Sequence, residues 1–200
     1  GGYHGLFDAA MWMSNVDGWD KNSNDDPEVV AYSKGIPQTL KSLVHVVPNN
    51  SMQRLEDTFK QHGHTLAAML IEPIQGNCCS IMASVEYVKY ARELCDKYGV
   101  LMIADEVMCG SGRCGTWRAL ETDGVEPDIM SVAKGLAAGY LPLGAAIYTD
   151  RVAEPIMRVH GAPMTGHTFT GHTACCAAAV AVQKIVAREG LVARVRANEP

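Results

Sequence analysis

Residues 128–147, DIMSVAKGLAAGYLPLGAAI, hold one lysine among twenty residues. The apolar run 128–133 ahead of Lys134 reads as a buried strand, and glycine, alanine and proline follow it. A long cation at a strand end, followed by the smallest side chains, marks a place that holds an amine and clears room beside it. Working outward, VLMIADE (100–106) reads as a second buried strand ending in acids. TLAAMLIE (65–72) is an apolar run ending in Glu72, GAAIYT (144–149) reads as a further strand, and so does SLVHVV (42–47). Helices are expected from Ser51, as cap, to about His62, over 84–98, and over 172–187. The helix over 84–98 places Val85, Val88, Ala91, Leu94 and Cys95 on one face, and Gly99 ends it. Apolar strands alternating with helices predict an α/β fold, a mostly parallel sheet flanked by helices. Ligands of such sheets sit outside the carboxyl ends of the strands. The fold therefore gathers Glu72, Asp105, Glu106 and Lys134 along one edge.

The chain has 200 residues, 48% hydrophobic and 20% charged, ordinary globular usage for one domain with a real core. Its net charge is -5 and its basic residues do not cluster, which argues against nucleic acid as a partner. No apolar run approaches the roughly 20 residues of a membrane span. Residues 1–8 have neither the basic nor the apolar region of a secretory signal. Seven cysteines, an odd number with two adjacent pairs and no paired C-x-x-C spacing, point to thiols in a cytoplasmic or organellar protein. Residues 14–28, SNVDGWDKNSNDDPE, read as a polar surface loop. His160, His167 and His172 fit no helical i,i+4 pair, and no metal site is expected from them. No G-x-x-x-x-G-K-[ST] loop supports nucleotide binding.

A lysine and an aspartate at neighbouring strand ends form a salt bridge in most proteins. Here the small residues after Lys134 point to a bulky ligand instead. Lysine forms Schiff bases with carbonyls, and a carboxylate can hold a pyridine nitrogen protonated, the two requirements of pyridoxal 5'-phosphate (PLP) chemistry.

Five motifs in order carry a resemblance: YHG (3–5), EPIQGN (72–77), LMIADEVMCGSGR (101–113), PDIMSVAKGLAAGYLPLGAA (127–146) and GHTFTGHTACCAAA (166–179). With them the chain resembles the class III aminotransferases, PLP enzymes of the aspartate-aminotransferase fold type. The resemblance implies roles residue by residue. Lys134 would be the Schiff-base lysine and Asp105 the partner of the pyridine nitrogen. Val107 would pack on one ring face and Tyr3 on the other, with His4 beside the ring. Glu72 would join the hydrogen-bond network near the cofactor. Thr168 would reach the cofactor phosphate of the neighbouring subunit, which implies a homodimer. Gly144 and Gly171 look like backbone-clearance positions. Each role has an ordinary counterpart: Tyr3 as a half-buried aromatic, Val107 as a core valine, Thr168 or Thr170 as a helix cap.

By the same resemblance, residues 1–200 are expected to be a large-domain fragment. The N-terminal phosphate cradle and the C-terminal small domain would lie outside it. The implied reaction moves an amino group from an amino donor to a keto acid. Asn77 stands where the ornithine and 4-aminobutyrate subgroup carries glutamate, and GN (76–77) is similar to glutamate-1-semialdehyde aminomutases. KGLAAGYLPLGAA and GHTFTGHT look more like transaminases. Met108, Ser111 and Cys114 also depart from the family pattern. The competing readings are an aminomutase, which needs no external keto acceptor, and a non-catalytic remnant.

Overall fold

The computed structural model describes residues 2–15 and 28–198, which fold as two compact units, Gly1–Val100 and Leu101–Pro200. Most of the polar stretch expected as a loop, 16–27, lies outside the described residues.

The first unit contains α1 (Ala10–Met13), α2 (Met52–His62), β1 (Ala68–Ile71), β2 (Ile74–Gln75), β3 (Ile81–Met82) and α3 (Val85–Tyr98). The helix α3 forms because its apolar residues recur at helical spacing between two strong punctuators. Ser84 caps it, its hydroxyl accepting from the Tyr87 amide at 3.2 Å. Gly99 ends it in the left-handed region at φ 71, closing the last carbonyls. The buried face is Tyr87, Val88, Ala91, Leu94 and Cys95. Val85 was expected there but is 40% exposed, because at the first position it precedes the turn that packs. The buried residues of α2 are Leu55 and Phe59, and α2 packs on α3. The Phe59 and Tyr98 rings meet at 5.7 Å. A Cβ on Gly63 would lie 2.4 Å from the Tyr98 ring, so this close approach needs glycine. Ser51 occupies the expected cap position of α2 with an extended backbone, but its side chain makes no capping bond.

SLVHVV does not form the expected strand. Residues Gln38–Leu43 wind into a 3-10 helix after Pro37, and Val44 onward is extended without joining a ladder. β2 and β3 form a short antiparallel hairpin with Ile74 opposite Met82.

The second unit contains β4 (Leu101–Asp105), β5 (Ile129–Val132), β6 (Ala145–Tyr148), α4 (Asp150–His160), α5 (Thr173–Arg188) and α6 (Leu191–Ala197). β4 and β5 are parallel, and β6 turns back antiparallel to β5. The 133–144 link to β6 holds a 3-10 turn and no α-helix that could carry the chain across for parallel pairing. The β4-to-β5 crossover likewise holds no α-helix. It is built of turns and a 3-10 segment, Ala119–Glu121, around buried Glu106. One Glu106 oxygen accepts from the Ala119 amide at 2.7 Å and the other from the Leu120 amide at 3.1 Å.

Asp128 ties the far end of the sheet. It accepts from the Met102 amide at 2.7 Å and pairs with Arg151 at 3.0 Å, while the Thr149 amide donates to its carbonyl. Met102, Ala104, Met130 and Val132 fill the core with Leu120 and Val125, whereas all four residues of β6 are exposed. His172, not Thr168 or Thr170, is the N-cap of α5, accepting from the Cys175 amide. No helix among the described residues is long and apolar enough to cross a membrane.

Candidate active site

In the second unit, parallel pairing brings the ends of β4 and β5 to one edge, with Asp105 opposite Ser131. Asp105 is 7% exposed, and its Oδ1 accepts from the Val107 amide at 3.1 Å. Glu106, the next residue, points the other way, as alternation along a strand requires, into the crossover it organises. Burial pushes its carboxyl above the ordinary range, against the opposing pull of the Ala119 and Leu120 amides, the Cys109 thiol and Arg118. The two adjacent acids therefore separate into an edge carboxylate and a structural one.

Lys134 stands two residues beyond the end of β5, exposed, at the start of a 3-10 turn, Lys134–Leu136. Its backbone is left-handed at φ 41, as are Ala138 at φ 50 and Gly139 at φ 78. Non-glycine residues in this region are strained and persist only where surroundings hold them, a condition frequent at ligand sites. Gly135, next to Lys134, is crowded, since a Cβ there would lie 3.0 Å from the Ser111 Cβ. Gly144 would accept a Cβ at ordinary contact distance, and Gly171 has open space and is glycine for its φ of 72.

The first unit gathers Tyr3, His4 and Glu72. Glu72 is 4% exposed and follows β1. Its Oε1 accepts from the Tyr3 amide at 2.7 Å and its Oε2 from the Gly76 amide at 3.2 Å. A Cβ on Gly2 would fall 2.8 Å from His4 Nε2 and 3.0 Å from Glu72 Oε1, so these three positions are packed together. The Tyr3 side chain is largely outward, at 41% exposure. A cavity of about 570 Å³ in this unit is lined by His4 and Glu72 together with Leu55, Phe59 and Tyr87. Thr168 lies in the exposed segment before α5.

An exposed primary amine and a buried carboxylate at adjacent parallel strand ends, followed by open space at Gly139, are a donor set that fits an aldehyde cofactor with a basic ring nitrogen. Two features of this edge escape a motif reading. The Ser111 hydroxyl is buried and has no hydrogen-bond partner among the described residues. Gln183 of α5 reaches the turn that carries Lys134, its amide donating to the Leu136 carbonyl at 3.0 Å. Nothing in the helical pattern of α5 singles out Gln183 except its polarity within an apolar run.

The family model for aminotransferase class-III matches residues 1–199. The chain belongs to the class III aminotransferases. An aminotransferase from Gibberella zeae is 44% identical over 146 residues, covering 72% of this chain and 29% of that protein. A beta-alanine–pyruvate aminotransferase from Pseudomonas aeruginosa is 31% identical over 206 residues, covering 96% of this chain and 45% of that one. Among solved structures, a PLP-bound amine transaminase from an uncultivated Pseudomonas species matches with a TM-score of 0.75 at 33% identity, over 96% of this chain and 45% of that chain. The α/β architecture is thus that of the family's transaminases. This class III chain spans less than half the length of either relative.

Proposed function

We propose that this chain carries the cofactor-binding part of a PLP-dependent transaminase that moves an amino group from an amino donor to a keto acid. The observation that carries the reading is Asp105 at the end of β4 and Lys134 two residues beyond the end of the adjacent parallel β5, the lysine exposed and the carboxylate buried. Bound PLP supplies an electron sink that lets a proton leave the substrate Cα. In this reading Lys134 would hold the cofactor, and its amine would move the substrate Cα proton. Asp105 would pair with the ring nitrogen and hold its proton, a task suited to a buried carboxylate. Val107 would pack against the ring. Glu72 fixes the Tyr3 backbone through the bond it accepts there. Thr168 serves the cofactor phosphate of a second copy, so the working protein is a homodimer. We also propose a cytoplasmic location, supported by seven cysteines held as thiols.

The test is an assay of the full-length protein with PLP against a panel of amino donors, with and without a keto acid. Transamination predicts product only when both are present. Isomerised product without an acceptor would point to the aminomutase reading, and no product from the loaded protein with any donor would count against both.

A further inference from the structure

The turn carrying Lys134 is strained, and two neighbours grip it. Ser111 packs against Gly135, where an added Cβ would lie a tight 3.0 Å from the Ser111 Cβ. Gln183 Nε2 donates to the Leu136 carbonyl at 3.0 Å. The Gln183 amide is itself oriented, because the Trp117 indole N–H donates to its Oε1 at 3.0 Å. An indole nitrogen can only donate, so it fixes the glutamine oxygen toward Trp117 and leaves the NH2 for Leu136. The result is a directed chain from the crossover loop, through α5, to the turn. Leu136 is two residues from Lys134, and its own amide donates to Ala133 at 2.9 Å. A carbonyl held here sets the plane of the peptide unit that follows the lysine turn. Losing that bond removes one of the restraints that keep a left-handed lysine backbone from relaxing toward the ordinary right-handed region. A reacting side chain needs support of this kind to stay within a productive geometry.

We propose that Gln183 is a positioning residue for Lys134, acting through the Leu136 carbonyl with Trp117 fixing the direction of its amide. The inference rests on the reading of Lys134 as the PLP lysine. It assigns Gln183 no contact with substrate or cofactor. A side chain that merely filled space would be replaceable by any residue of its size. A positioning donor is not replaceable by glutamate, which matches the shape, still accepts from Trp117, and cannot donate when ionised.

The experiment compares the full-length protein with its Gln183→Glu, Gln183→Met and Trp117→Phe variants, each titrated with PLP. PLP affinity and the pH midpoint of the absorbance of Lys134-bound PLP are both read. Hydrogen exchange of the peptide spanning 133–140 is followed in the cofactor-free proteins. One net hydrogen bond corresponds to about two- to tenfold in an equilibrium. Both Gln183 variants are expected to weaken PLP binding by about that factor. They should also move the pH midpoint by up to about one unit and speed exchange across the turn. Trp117→Phe should do the same to a smaller extent. Gln183→Glu matching the wild type in affinity, midpoint and exchange would overturn the proposal. If Gln183→Met does not fold, the glutamate and Trp117 variants decide it. Borohydride reduction of the wild type keeps the two claims separate. Label on Lys134 with unaffected Gln183 variants refutes the positioning role alone, whereas wild-type protein without label on Lys134 refutes the underlying reading and the proposal together.

Discussion

Asp105 and Glu106 are chemically near-identical neighbours with opposite fates. The pleat sends one to the sheet edge and the other into the crossover, where two amides and burial surround it. A sequence reading can see two acids at a strand end, and only the family motif distinguishes them. The role of Glu106 was not legible, because its partners, Ala119 and Leu120, lie thirteen and fourteen residues away in a loop without periodicity. Its raised pKa gives a prediction with a definite sign. A carboxyl whose folded pKa lies above its unfolded value adds stability below about 4.5, and that contribution is lost as pH rises through the folded value. In urea unfolding at a series of pH values, the stability of the wild type relative to Glu106→Gln should therefore fall as pH rises above about 4.5. A difference that grows with pH would show that the amide bonds outweigh burial. The left-handed backbone of Lys134 was equally hidden, since nothing in AKG announces a positive φ at the lysine itself.

At the scale of elements, the legible parts are those with both a period and punctuation. α3 was readable almost to the residue from Ser84, its helical spacing and Gly99. The strands β4 and β5 were readable from short β-branched and apolar runs bounded by turns. SLVHVV failed because a strand needs a partner edge as well as a pattern, and the 3-10 winding after Pro37 takes Ser42 and Leu43, the first third of the run, into another structure. The antiparallel return of β6 was not legible either, since direction depends on how the 133–144 link closes and not on the strand's own residues. The cap of α3 is the most testable of these local features. Ser84→Ala removes the bond to the Tyr87 amide and should cost about 1 kcal/mol of stability, read as a lower urea midpoint with an unchanged slope. Substitution by glycine should cost only a few tenths of a kcal/mol, because glycine tolerates the cap backbone.

At the scale of the whole molecule, the expected residues divide between the two units: Tyr3, His4 and Glu72 in one, Asp105, Val107, Lys134 and Thr168 in the other. The order of the motifs was legible because each sits at a strand end or beside a turn where backbone geometry restricts the residue. Apolar residues of the second unit, among them Ile147, Tyr148, Met157 and Phe169, are exposed. Surfaces of this kind mark contacts with other protein when they are contiguous. If Thr168 serves a second copy, Thr168→Ala in the dimeric full-length protein should weaken PLP binding by about two- to tenfold without changing the sedimentation coefficient. Unchanged affinity would remove Thr168 from the site. The central claim, however, concerns one amine. The decisive measurement is borohydride reduction of the full-length protein with PLP, followed by peptide mass mapping, alongside Lys134→Ala. The account predicts that one lysine, Lys134, carries the reduced cofactor and that the variant loses this label. Label spread equally over surface lysines in both proteins, or fixed on a different lysine, would contradict it.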